Sequence, residues 1–126
     1  MMISRSARVG LFAMALLAAP LLAVTSNKWH LEVSGTASAD GVVIVQMLPV
    51  GAKPYEIKVP VANGTEENRV ARLLEKALRN RLDSQIYLVD AGGNDVTIKR
   101  RSGHPDFQVA ITRNSVPSVQ IKLQTD

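Results

Sequence analysis

The chain contains no cysteine. That excludes disulfide support, thiol nucleophiles, thiolate metal sites and dithiol redox chemistry, and it rules out a lipid anchor attached through an N-terminal cysteine. Aromatic residues are also scarce, with one Trp, two Tyr and two Phe in 126 residues. None is interleaved with the basic residues described below, so the sequence offers no stacking platform for nucleic acid. There are two histidines, His30 and His104, 74 positions apart, and no metal-ligand spacing connects them. No serine sits in a glycine-flanked nucleophile elbow. There is no internal repeat of solenoid length and no low-complexity tract.

No apolar run is long enough to span a bilayer as a helix, which takes roughly 20 residues. The longest, residues 9–24, is interrupted by Gly10 and Pro20 and follows a segment holding Arg5 and Arg8 but no acidic residue. A basic start, a short apolar run and a proline near its end read as a secretory signal peptide over residues 1–26. Cleavage after Ser26 puts Val24 and Ser26 at the two small-residue positions, and cleavage after Ala23 is the competitor. An uncleaved N-terminal anchor is the alternative to both. Removing Arg5 and Arg8 leaves 13 basic residues against 11 acidic ones, a net charge of +2 over residues 27–126. So mild an excess does not argue for nucleic acid. A mature chain of about 100 residues is enough for one hydrophobic core and too short for two.

The most organised stretch is N-G-T-E-E-N-R-V-A-R-L-L-E-K-A-L-R-N-R-L, residues 63–82. Val70, Leu73, Leu74, Ala77, Leu78 and Leu82 recur at spacings of three and four, the pattern of an amphipathic helix. Asn63 or Thr65 is expected to cap it, with Glu66 and Glu67 at its positive end and Arg79 and Arg81 at its negative end. A lone helix of this length is marginal in water, so its apolar stripe is expected to lie on a sheet.

The flanking segments read as strands. Trp29, Leu31 and Val33 alternate with His30, Glu32 and Ser34. G-T-A-S-A-D-G then leads into the β-branched run 42–48, a pair expected to form a hairpin with the second strand the more central. Tyr55, Ile57, Val59 and Val61 alternate with Glu56, Lys58 and Pro60, and Pro60 suggests an edge. Beyond the helix come residues 85–89, a turn over A-G-G-N, a strand with Val96 and Ile98, a basic loop over residues 100–105, a strand with Phe107, Val109 and Ile111, a turn at 114–117, and a strand with Val119, Ile121 and Leu123. The expected fold is therefore α+β, a mostly antiparallel arrangement of six or seven strands in the order βββ-α-ββββ with the helix packed on it. Whether the strands make one sheet or two is left open.

Arg69, Arg72, Lys76 and Arg79 line up on the helix roughly opposite the apolar stripe. Such a row can hold an anionic surface or an acidic partner, or it is simply a solvated face, with Glu75 paired to Arg79. Trp29, near the start of the mature chain, is a second candidate contact residue. Lys99, Arg100 and Arg101 beside His104 form another basic cluster, which a charged strand end also explains. Asp90, Asn94 and Asp95 around Gly92 and Gly93 fit a calcium loop only faintly and a hairpin turn well. Asp40, Glu32 and Glu56 stand where ordinary strand and turn polarity puts them, so no paired carboxylates are singled out. The expectation is no catalytic residues, no metal and no cofactor.

The succession G-T-A-S-A-D-G-V-V-I-V, Y-E-I-K-V, N-G-T-E-E-N-R-V-A-R-L-L-E-K-A-L, D-V-T-I-K and D-F-Q-V-A-I resembles a small β-rich, one-helix module of phage tail and tail-sheath-like proteins, over most of residues 33–123. Tail components assemble in the cytoplasm, whereas this chain begins like an exported one. The resemblance thus implies an assembly-type fold used outside the cytoplasm, and it transfers no functional residue. The functional expectation is an exported, non-catalytic binding or structural module, periplasmic or secreted, acting by protein–protein contacts or self-association along strand edges. It is expected to bind no nucleic acid and to keep no stable membrane span after cleavage. A small exported hydrolase or ligand-binding protein is one alternative, and anionic-surface binding through the helix row is another.

Overall fold

In a computed structural model the described residues are 24–126, so the expected leader lies largely outside them. Seven strands and one helix follow in the order β1 (Lys28–Ser34), β2 (Gly41–Pro49), β3 (Tyr55–Val61), α1 (Glu67–Arg81), β4 (Tyr87–Gly92), β5 (Asp95–Arg100), β6 (Phe107–Asn114) and β7 (Gln120–Thr125). This is the expected α+β class and order. The strands make two antiparallel sheets, β4-β5-β1-β7 and β3-β2-β6. Strand β3 is an edge, as Pro60 suggests, with Pro60 opposite Val42 and presenting no N–H.

The expected hairpin between the first two strands does not form. Strand β1 pairs with β5 and β7, and β2 pairs with β3 and β6, so the two belong to different sheets and each is central in its own. Residues 35–40 carry the chain across between the sheets. Gly35 has φ +93° and packs against the backbone of Ser118 so closely that a Cβ would collide with the Ser118 carbonyl. The crossing is then tied to the turn ahead of the helix, where Ala37 N–H donates to Thr65 O at 2.9 Å and Gly64 N–H to Ala37 O at 2.7 Å. These long-range bonds outcompete the local turn that the Asp40-Gly41 pair implies.

The inward residues of both sheets share one core. Leu31, Val33, Val96 and Ile98 come from one sheet and Val43, Val45, Met47 and Phe107 from the other, all fully buried. Each such side chain contributes about 1.5–3 kcal/mol of burial. The Phe107 and Tyr87 rings meet edge to face, with centroids 5.2 Å apart and planes at 77°. Helix α1 buries Val70, Ala71, Leu74 and Leu78, and it packs against β3 on one side and β4, β5 and β1 on the other. It therefore closes the side of the sandwich where the edge strands β3 and β4 would otherwise stand open.

The helix starts later than the 63–82 pattern suggests, and neither expected cap forms. Its N-cap is Glu66, which makes no side-chain capping bond. The Thr65 hydroxyl donates instead to Ala62 O at 2.7 Å, and Asn63 N–H donates to Asp40 Oδ1 at 2.7 Å. Residues 62–65 are occupied by a turn with Gly64 at φ +86°, and helical geometry begins only beyond it. At the other end Leu82 N–H donates to Leu78 O at 2.8 Å, and Arg79 and Arg81 lie in the last turn as expected.

At its start the framework extends to Ser26, whose N–H and C=O both bond to Phe107, at 2.9 and 3.0 Å. The domain thus engages a residue that the expected 1–26 and 27–126 division assigns to the leader.

Candidate functional site

The helix row that the sequence points to does not act as one unit. At about 100° per residue, Arg69, Lys76, Arg72 and Arg79 fan across some 80° of the helix, and the two ends of that fan face different neighbours. Arg79 reaches β4: its Nε donates to Val89 O at 2.9 Å, and its Nη2 lies 3.2 Å from both Asp90 Oδ1 and Glu75 Oε2. It is a clamp between the helix and the β4 edge, engaged with β4 rather than with the other three cations. Arg81, two residues further on, stacks on Tyr55 of β3 with its guanidinium carbon 4.3 Å from the ring centroid. The last helical turn is thereby tied to both flanking edge strands.

Arg69, Arg72 and Lys76 stay exposed, and among the described residues none of them forms an ion pair. They border a groove of about 610 Å³ between the helix and the end of β3. Pro60, Ala62 and Leu73 supply its apolar surface, and Thr65 also lines it. Leu73 was expected in the buried stripe, yet it is 37% exposed, whereas Leu74 beside it is fully buried. The difference is angular. Leu73 falls about 40° from Arg69 and Leu74 about 140° from it, so only Leu74 points into the core. The three cations spread over about 10 Å of helix axis, above a floor whose apolar area is continued by their own methylene stems.

The other singled-out residues do not join this groove. Trp29 is only 7% exposed, and its indole N–H donates to Phe107 O at 2.9 Å. It links the two sheets from within and is no surface contact residue. The alternation that marks β1 as half-buried already put Trp29 on the inner face with Leu31 and Val33, so the correction was available in the pattern. Of the second basic cluster, Arg100 Nε donates to Asp106 at 2.9 Å and Arg101 Nε to Ser84 O at 2.9 Å. Those two hold the loop around residues 101–106 in place, while Lys99 remains exposed on β5.

The acidic and amide groups near the β4–β5 turn are dispersed. Asp90 pairs with Arg79, Asn94 Nδ2 donates to Val33 O at 2.8 Å, and Asp95 pairs with His30. Among the described residues no group of three or more His, Asp or Glu side chains is placed to hold a metal ion. His30, on the outer face of β1, lies between two carboxylates: Nε2 is 2.6 Å from Asp126 Oδ1 and Nδ1 is 3.2 Å from Asp95 Oδ2. These partners raise its pKa above the ordinary histidine value, Asp126 the more strongly, with desolvation opposing. In return the bond to His30, with a second from Lys28, lowers the pKa of Asp126. The sequence gives no hint of this clasp, because its members stand at positions 28, 30, 95 and 126 and meet only through the β5-β1-β7 pairing.

In comparisons with known proteins, no family model matches this chain and no curated protein matches it significantly. The site is therefore read from its own chemistry. It offers charge-assisted hydrogen-bond donors beside an apolar floor, which suits retention of an anionic group attached to an apolar body.

Proposed function

We propose that this chain is an exported, non-catalytic binding module that acts in the periplasm or outside the cell, and that the groove between β3 and α1 is its contact surface. The observation that carries the reading is the convergence of Arg69, Arg72 and Lys76, free of ion pairs among the described residues, on the floor made by Pro60, Ala62 and Leu73. Cations that only solvate a helix face have no need of a concave apolar partner surface. Here an anionic contact gains both charge attraction and apolar burial. Among the described residues the lining side chains include no carboxylate and no imidazole, and the one hydroxyl, Thr65, already donates to Ala62 O. That composition supports holding over hydrolysis. The double bonding of Ser26 to Phe107 supports the competing cleavage after Ala23.

The test compares the wild-type protein with an Arg72→Glu, Lys76→Glu double variant on envelope extract, at low and at moderate salt. The expected result is a species retained by the wild type, released as salt rises, and not retained by the double variant. Retention of the same species by both proteins at the same salt would overturn the reading.

A second reading is self-association along a strand edge, the behaviour implied by the resemblance to phage tail modules. It is favoured by β7, which among the described residues is paired with β1 alone and carries Ile121 and Leu123 half-buried. Size measurement over a range of protein concentrations tests it. The β3 and β4 edges are poorer candidates, since Pro60 lacks an N–H and Arg79 caps the Val89 carbonyl.

A further inference from the structure

Resting on the reading of this groove as the contact surface, we infer that its ligand is a single-chain anionic amphiphile, a monomeric long-chain carboxylate, with its head group at Arg69, Arg72 and Lys76 and its chain over Leu73, Ala62 and Pro60. Size is the first argument. A volume of about 610 Å³ lies within the roughly 300–1,000 Å³ of small-ligand sites, whereas a stable protein interface engages about 20–30 residues a side. Seven of the described residues line this groove.

The second argument is hydrogen-bond sign. The three cationic side chains are donors only, and among the described residues the Thr65 hydroxyl is the sole side-chain acceptor in the lining. A peptide would bring amide N–H groups, and a sugar would bring hydroxyls, for which the described lining supplies few side-chain acceptors. A carboxylate brings acceptors alone and matches. Backbone pairing is also blocked at this spot, because Pro60 on the groove side of β3 has no N–H to offer an added strand.

The third argument is the two-ended layout. The exposed face of Leu73, with Ala62 and Pro60, provides an apolar track beside the cationic row, so charge and hydrocarbon are recognised side by side. A flat lipid surface presents head groups without the chain, and it would leave the floor of the groove unfilled.

Titration calorimetry on the full-length protein tests this with dodecanoate held below its micelle concentration. The comparison probes are dodecanol, acetate and vesicles of mixed zwitterionic and anionic phospholipid. Expected is saturable binding of one dodecanoate per chain, with dodecanol and acetate each weaker by about tenfold or more. Arg72→Glu, Lys76→Glu and Leu73→Asp should each weaken dodecanoate by about threefold or more, while Lys122→Glu on β7 leaves it unchanged. These side chains are exposed, and far-UV circular dichroism confirms that each variant is folded. Equal binding of dodecanol and dodecanoate, indifference to the groove variants, or a response to vesicles without one to dodecanoate would overturn the inference. If dodecanoate fails while salt-sensitive retention from envelope extract is still lost in the double variant, the amphiphile falls and the groove stands as the contact surface. If both fail, both fall.

Discussion

Replacing Leu74 and Leu73 separately by alanine tests whether the helix is an integral wall of the core. The two residues are neighbours on α1, and alanine is at least as good a helix former as leucine, so backbone propensity drops out of the comparison. Leu74 is 0% exposed and Leu73 is 37% exposed. Removing the Leu74 side chain from the closed side of the sandwich loses its burial and leaves a cavity, at a cost of roughly 2–5 kcal/mol. Against the total of about 5–15 kcal/mol usual for a domain, that is a large fraction. At about 4–8 °C per kcal/mol for a domain of 60–100 residues, a loss near 3 kcal/mol lowers the midpoint by about 12–24 °C. Leu73→Ala, facing the groove, should cost less than about 1 kcal/mol. Urea unfolding followed in parallel by far-UV circular dichroism and by fluorescence of Trp29, the single tryptophan, measures both. Coincident transitions show one cooperative unit. Two variants within about 1 kcal/mol of each other, or helix melting that leaves Trp29 fluorescence unchanged, would refute the reasoning.

The His30 clasp makes stability depend on pH. Its folded pKa is raised, so the histidine contribution is complete below about pH 6.5, the usual unfolded value, and is lost as pH rises through the higher folded value. The Asp126 pKa is lowered, so its share is present above the ordinary carboxylate value and is lost as pH falls through the folded one. Proton NMR titration should place His30 above its ordinary value in the wild type and lower in Asp126→Asn. Gly35→Ala combines a left-handed φ with collision against the Ser118 carbonyl, and should cost more than about 3 kcal/mol. Gly51→Ala, with φ +80° and open space around it, should cost only about 1–2 kcal/mol, and paired urea melts would show the gap. Arg79→Ala removes the bond to Val89 O and the contacts to Glu75 and Asp90. Because that side chain is 55% exposed, the loss is expected at about 1 kcal/mol, accompanied by faster amide hydrogen exchange along β4.

Periodicity along the chain was enough to identify one amphipathic helix and seven strands in order, because the inward and outward alternation of β1 and the three-and-four spacing of α1 are properties of adjacent residues. The cationic residues of the groove were legible for the same reason, lying on one side of a helical wheel. Their apolar floor was not, since Pro60 lies on β3 and Ala62 just beyond it, and the two reach Leu73 only after the helix is laid against that strand. The Leu73 boundary position was readable as an angle, but whether a boundary residue is covered depends on what packs beside it.

The sequence by itself determined the element types, the mild positive charge, the exclusion of every thiol-based chemistry and the two-faced character of the helix. All of these follow from residue identity and spacings of two, three or four. Only the tertiary structure decided that β1 and β2 part into separate sheets, that Trp29 and Arg79 serve the framework, and that three cations overlook a cleft. Each of those outcomes turns on contacts between segments far apart in the chain. There the energy of joining Gly35 to Ser118, Ala37 to Thr65 or His30 to Asp126 is settled by the competition among all pairings at once, and local pattern carries no record of the winner.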